Sequence, residues 1–451
     1  MADFIEVLRS GAWLTRERVR LVAWLLLGFS LAAVIFVAAT SDGLNDRFGR
    51  PLGTDFSNVY AAGTYVLDGE PAAPFDPPLQ YAREQAIFGQ ATQFYGWHYP
   101  PFFLGLAALL ATMRYWLSLL LWQGTTLILY LLAIRAVLFS SPSSAGGRSC
   151  IEGARGGVSG SAGSPPSGEL RSPTSLHQGE VKKEWLLLAL AFPAVLVCLG
   201  QGHNGFLTAA LFAAALTQLD RRPLIAGVLI GLIAYKPQFG LLIPLVLAAS
   251  GRWRVFAAAA VTVALLAALV TFAFGVDVWS AFLASTKFTR SVVLEQGDTG
   301  WYKIQSVFSW VRMWGGGVDL AYALQGAVTL AVAGALFWLW RSEAAFALKA
   351  AALTIGTLLA TPYSLDYDLM LLAPAVTFLA RRGIERGFAP WQKTILAALW
   401  IVPLFARSLP QMALIPLAVP VMFIAFAFML RRAINELGVS RMWQFAPRAL
   451  K

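Results

Sequence analysis

Leu21-Val22-Ala23-Trp24-Leu25-Leu26-Leu27-Gly28-Phe29-Ser30-Leu31-Ala32-Ala33-Val34-Ile35-Phe36-Val37-Ala38-Ala39-Thr40 follows three arginines, Arg16, Arg18 and Arg20, and carries no charged side chain. A helix needs about 20 predominantly apolar residues to cross the hydrocarbon core of a bilayer, and this stretch supplies them. It is long for the core of a cleaved leader and lacks a clear small-x-small site, so it reads as an uncleaved first span. Similar apolar runs recur near 116–139, 185–200, 205–219, 224–235, 238–250, 255–275, 319–340, 345–361, 366–380, 391–406 and 412–430. Several fall short of the roughly 17 residues a span commonly needs. They either borrow flanking residues or are broken helices lining a cavity. Residues 102–113 are too short to cross comfortably and read as re-entrant or oblique.

Composition agrees. Of 451 residues 58% are hydrophobic and 13% charged, with a mean hydropathy of +0.63. Soluble domains carry roughly 25% charged residues, so this surplus of apolar surface calls for lipid. Long apolar runs rather than alternating strand patterns make the expected fold an all-α integral membrane bundle, with outward loops carrying short surface helices. The net charge of +11 does not point to nucleic acid, because the basic residues sit in short loops and no separate basic domain is visible. Arg221 and Arg222, Arg252 and Arg254, Arg381, Arg382 and Arg386, and Arg431 and Arg432 mark the cytoplasmic side, as Arg9 to Arg20 do for the N-terminus.

This divides the chain into N-terminal spans over 1–140, a linker over 141–184, further spans over 185–430 and a cytoplasmic tail over 431–451. The linker is rich in Gly, Ser and Pro and is expected to be disordered. Two long loops, 41–101 and 276–318, then face outward. Within the first, residues 55–63 read as a short helix lying on the membrane surface.

Polar groups beside apolar spans are costly and usually mark a site or a water-filled cavity. Five clusters fall on the outward side: Asp55; His98-Tyr99-Pro100-Pro101; Gln201, His203 and Asn204; Lys236-Pro237-Gln238; and Tyr363, Asp366, Tyr367 and Asp368. Simpler readings stand beside a functional one. Asp55 fits a helix N-cap, and His98 fits an aromatic belt with Phe94, Tyr95, Trp97 and Tyr99. His203 and Asn204 fit a tight turn, and Asp366 and Asp368 fit residues at a helix start. Lys236 interrupts an apolar stretch with no acid nearby in sequence, so it needs a partner or an anionic ligand. The Gly227–Gly231 spacing reads as a close-packing face. Cys150 and Cys198 form neither a disulfide framework nor a metal spacing, and three histidines do not suggest a histidine-rich metal centre; no metal or cofactor is expected. Phosphate-binding glycine loops and serine nucleophile elbows are absent from the sequence.

The segment Thr54-Asp55-Phe56-Ser57-Asn58-Val59-Tyr60-Ala61-Ala62-Gly63, with Gly69 and Trp97-His98-Tyr99-Pro100-Pro101, resembles the first outward loop of glycosyltransferase family 87, also labelled DUF2029. The resemblance continues through Gly200-Gln201-Gly202-His203-Asn204-Gly205, Asp220-Arg221-Arg222-Pro223, Ala226-Gly227-Val228, Tyr235-Lys236-Pro237-Gln238 and Thr361-Pro362-Tyr363-Ser364-Leu365-Asp366-Tyr367-Asp368. It implies a GT-C fold with its active site at the extracytoplasmic face of a bacterial inner membrane. It also implies a polyprenyl-phosphate-linked sugar donor, such as a mannose donor, a lipid or glycan acceptor, and an acidic first-loop residue as base, here Asp55. The chain departs from better-known members near Asp366–Asp368, where histidine is usual.

The chemistry suits the residues. Glycosyl transfer with inversion needs a base for the acceptor hydroxyl and a cation for the departing lipid phosphate. Lys236 is the candidate cation, with Arg290 or Lys303 as alternates. His98, Tyr99, Gln201, His203, Asn204, Gln238, Tyr363, Asp366 and Asp368 are the candidate substrate contacts. The competing reading is a transporter or flippase of a lipid-linked or anionic solute, which broken helices with polar breaks would also suit.

Overall fold

The computed structural model describes residues 2–139 and 184–444. The linker expected over 141–184 lies outside them apart from Glu184, and the tail expected from 431 begins as a helical continuation to Gln444. The described residues are 78% helical, with no strand among them. Helices satisfy their backbone groups internally, as lipid requires, and the fold is that of an all-α multi-span membrane protein.

The helices are α1 (Ala2–Ser10), α2 (Arg16–Ala39), α3 (Thr54–Leu67), α4 (Pro77–Phe88), α5 (Leu104–Ala111) and α6 (Tyr115–Phe139). Then come α7 (Glu184–Leu190), α8 (Pro193–Gln201), α9 (Gly205–Gln218), α10 (Pro223–Gly231), α11 (Pro237–Gly240), α12 (Ile243–Ala249) and α13 (Trp253–Phe274). The remainder are α14 (Asp277–Phe288), α15 (Val307–Met313), α16 (Val318–Arg341), α17 (Phe346–Ala360), α18 (Leu372–Arg386), α19 (Gln392–Ile401), α20 (Ser408–Ala413) and α21 (Ala418–Gln444). Among them α2, α6, α13, α16 and α21 are long and apolar enough to cross a membrane singly. The α7–α8 pair adds a sixth candidate, bent by 49°, where Pro193 opens α8 and cannot supply the N–H that would continue α7.

Contacts between helix ends sort the chain into two poles. At one, Arg16 and Arg20 reach Glu184 at 2.9 and 3.3 Å, and Trp391 N donates to Arg9 O at 2.6 Å. Arg381 donates to Val137 O at 2.8 Å, Arg382 and Arg432 share Glu436, and Arg252 pairs with Asp220 at 2.8 Å. At the other, Tyr115 bonds Leu52 O, Trp122 Nε1 donates to Gly202 O at 3.1 Å, and Gln305 N donates to Ser364 O at 2.6 Å. The two long loops meet at this second pole through ring contacts Phe75–Phe282, Phe94–Phe288 and Phe102–Trp279. Over 102–113, Phe103 stacks on Tyr235 near the start and Met113 O accepts from Tyr60 at the end.

The helix expected on the membrane surface is instead packed into the protein. α3 buries Phe56, Ser57, Asn58, Val59, Ala61, Ala62 and Gly63. The physical reason is the small-residue run Ala61-Ala62-Gly63, which lets α5 approach so closely that any Cβ at Gly63 would collide with the Ala107 carbonyl. Gly227 and Gly231 act likewise, bringing α10 onto Val255, Ala258, Ala259 and Thr262 of α13, as the spacing suggested. Gly63→Val should therefore push α3 off α5 and cost about 1–3 kcal/mol or more. This would be read as a lower melting temperature of the detergent-solubilised protein, and an unchanged melt would contradict the close packing.

Candidate functional site

The site forms where short helices stop at the second pole. α8 ends at Gln201, with Gly202 in the left-handed conformation (φ 66°) that a glycine adopts without strain. The chain turns through His203 and Asn204 into α9. Lys236 sits at the break before α11, and a 3-10 segment, Asp366–Leu371, leads into α18. α3 brings Asp55 from the first loop. Gly53, not Asp55, is its N-cap, and no side-chain cap bond is made there, so Asp55 is left available.

Two ion pairs organise the recess. Lys236 Nζ donates to Asp368 Oδ1 at 2.6 Å, between side chains only 5% and 2% exposed. Asp368 also accepts from Leu365 N at 3.0 Å, so it serves as a helix-start residue and as the missing partner of Lys236 at once. The second pair joins Arg407 Nε to Asp366 Oδ2 at 2.8 Å. Gln201 links this pair to Asp55. Its amide, assigned from its neighbours, donates to Asp55 Oδ2 at 3.1 Å and accepts from Arg407 at 3.0 Å.

His203 stacks on Tyr367 with ring centroids 3.4 Å apart. Its Nε2 lies 3.5 Å from both Lys236 Nζ and Tyr99 Oη. An ammonium facing Nε2 makes that nitrogen an acceptor and places the ring proton on Nδ1.

Asp55 is surrounded by protein yet keeps part of its surface open. Burial pushes its carboxyl up to about 7, and the Asp366 charge adds to the rise, while Arg407, Lys303 and Lys236 oppose it. Asp55 is tied to the group through Gln201 and Arg407, and Lys236 acts on it through charge alone, as the smallest of these influences. Lys303 enters from the second loop, where Ile304 pairs with Leu365. Burial, and then the charge of Arg407, hold its ammonium below the usual lysine range.

The structure thus gathers Asp55, Tyr99, Gln201, His203, Lys236, Tyr363, Asp366 and Asp368, with Tyr363 feeling the charges of Asp368 and Asp55. It does not bring His98 with them. His98 Nδ1 meets Thr289 Oγ1 at 2.9 Å, joining the two loops, and burial drives its imidazole down to about 4, so it stays neutral. Asn204 is buried in the turn with both amide atoms unpartnered, and Gln238 is half-buried with no polar contact to the group among the described residues. Sequence reasoning missed Arg407. The signal was an arginine ending the apolar run 391–406 at the pole where basic residues are disfavoured. No group of three or more metal-binding side chains occurs among the described residues.

Comparison with known proteins gives one match. The model of glycosyltransferase family 87 fits residues 97–362, more than half of the chain. Neither a curated protein nor a solved structure matches. The matched span includes Tyr99, Gln201, His203 and Lys236, while Asp55, Asp366, Asp368 and Arg407 lie outside it.

Removing one member of a buried ion pair strands the other, at about 3–5 kcal/mol, whereas replacing both by apolar groups is often nearly neutral. Lys236→Met should therefore lower the melting temperature sharply, and Lys236→Met combined with Asp368→Leu should recover much of the loss. A single variant that melts with the wild type would show the pair is not desolvated.

Proposed function

We propose, for a chain that belongs to glycosyltransferase family 87 and is thereby a membrane glycosyltransferase, that it moves a sugar from a polyprenyl-phosphate donor to an acceptor hydroxyl. Mannose is the sugar the resemblance suggests, and a lipid or glycan the acceptor. In this reading the bundle is of GT-C type, the reaction inverts the anomeric carbon, and Asp55 is the general base. The observation that carries it is the Asp55 carboxyl, which is partly exposed, raised to about 7, and set among three cations, Arg407, Lys303 and Lys236, from three separate segments of the chain.

The acceptor hydroxyl gives its proton to Asp55 as its oxygen bonds the anomeric carbon. The bond from that carbon to the phosphate oxygen breaks, and its electron pair leaves on the phosphate. A base works best with a pKa near the working pH, and Gln201 helps to keep Asp55 there. By standing between Asp55 and Arg407 it prevents a direct ion pair, which would pull the carboxyl down and make it a poor base. Tyr99, Tyr363 and Tyr367 add hydroxyls and ring faces suited to a sugar.

The location follows from charge. Arg9, Arg16, Arg252, Arg381, Arg382 and Arg432 gather at the pole opposite the recess. By the positive-inside rule we read that pole as cytoplasmic and the site as extracytoplasmic, and the family resemblance suggests a bacterial inner membrane. A transporter fits less well, because the polar groups collect at one pole rather than near mid-depth of the bundle.

Asp55→Asn should lower transfer from polyprenyl-phosphate sugars by a factor of about 10²–10⁴ with an unchanged melt; transfer at the wild-type rate would remove Asp55 as base. Because the raised carboxyl must be ionised to accept a proton, wild-type transfer should be weak below pH 6, rise through about 7 and level off above. A rate that stays flat from about pH 5.5 to about 8.5 would separate the reaction from this group.

A further inference from the structure

Two cations in the recess have hydrogen-bonding capacity left over. Arg407 spends Nε and Nη2 on Asp366 and Gln201, and its Nη1 has no partner among the described residues. Its side chain is 45% exposed, while that of Asp366 is 3% exposed, so the guanidinium is anchored from behind and open in front. Lys303 is half-buried and forms no ion pair among the described residues. The two belong to segments tied together directly: the fully buried Gln305 donates its amide to Ala406 O at 2.6 Å, two residues beyond Lys303 and one before Arg407.

The charge of Arg407 works against the Lys303 ammonium while those of Asp366, Asp55 and Asp298 favour it, and a phosphate between the two cations would answer both at once. Lys236 differs. Its ammonium is closed on Asp368 inside the protein and has little surface to offer a ligand. Arg290 is engaged elsewhere, with Glu295 at 2.7 Å.

We infer that Arg407 and Lys303 together form an anion subsite that grips a phosphate group, and that Lys236 takes no direct part in holding it. The inference rests on the proposed donor and names the residues that receive its phosphate. A guanidinium presents a planar pair of donors to phosphate oxygens, and an ammonium adds a compact charge that adapts to them. In the transfer step both face the oxygen that takes the electron pair of the broken bond. Gln201 then has a second consequence. Its amide separates the guanidinium from the Asp55 carboxylate, so the leaving phosphate and the base occupy distinct places in the recess, as attack opposite the leaving group requires.

The test measures binding of a short-chain polyprenyl monophosphate to the purified full-length protein. The matching polyprenol and inorganic phosphate are tested alongside. Lys303→Gln and Arg407→Gln should each weaken polyprenyl monophosphate binding roughly ten- to hundredfold, as expected for a lost charge-assisted contact. Polyprenol binding should stay the same, which also shows that the variants are folded. Arg407→Lys should fall between, and Arg290→Gln should match the wild type. Inorganic phosphate should compete only with the phosphorylated lipid; competition at equal affinity, with no gain from the lipid chain, would assign the subsite to a soluble phosphate and overturn its place in donor binding. If wild type binds polyprenyl monophosphate and both glutamine variants bind it equally well, the subsite is elsewhere while the donor reading stands. If wild type binds polyprenol and its phosphate equally, the subsite and the donor reading both fall.

Discussion

The Lys236–Asp368 ion pair, with both side chains nearly shut off from solvent, fixes two distant parts of the chain to each other. Burying two charges costs several kcal/mol per ion, which only good geometry and further hydrogen bonds can offset. Here the contact is short, and the second carboxylate oxygen accepts from Leu365 N. The rest of the recess follows in order. Asp368 sets the start of the 3-10 segment, which places Tyr367 against His203 and Asp366 against Arg407. Arg407 holds Gln201, and Gln201 holds Asp55. The proposed base is thus positioned through a chain of polar contacts that begins at a buried pair.

Much of this was legible in the sequence because polar side chains beside apolar runs have few tolerable fates. Asp55, Gln201, His203, Lys236, Asp366 and Asp368 stand out on that ground alone, and they do meet. The partner of Lys236 was not legible: it lies 132 residues away, and no local pattern links the two. His98 lies apart from the group for the opposite reason. Its aromatic neighbours suit a packed belt as well as a ligand site, and the packing outcome prevails at Thr289. Arg407 sits one residue beyond a run read as a span, where attention to span interiors passes over it. Lys236 was also the first choice for the cation facing the phosphate, and its tight pairing with Asp368 argues for the more open Arg407 and Lys303 instead.

The fold was legible where length decides and less so where packing decides. The long spans declare themselves by composition. α3 did not, because an amphipathic surface helix and a helix wedged under a neighbour share polar and apolar residues alike; only the small-residue face distinguishes them, and its use depends on α5. The helices that end at the recess are short. α17 has 15 residues and α9 has 14, so each spans only about 21–23 Å against a hydrocarbon core of about 30 Å. Helices of that length leave room beside the full-length spans for the polar turns that carry the site residues.

α2 stands apart from this arrangement. It is the most hydrophobic of the long helices, with a mean hydropathy of 2.6, yet it buries only Ala23 and is held mainly near its ends, by Glu184 against Arg16 and Arg20 and by Arg47 over Phe36. A segment of that kind is stable in lipid without companions, whereas α9 or α17 is not. Its stability in the bilayer therefore does not depend on the packing that the rest of the bundle supplies. The short helices need neighbours to shelter their ends, so the site depends on the packed bundle in a way that α2 does not.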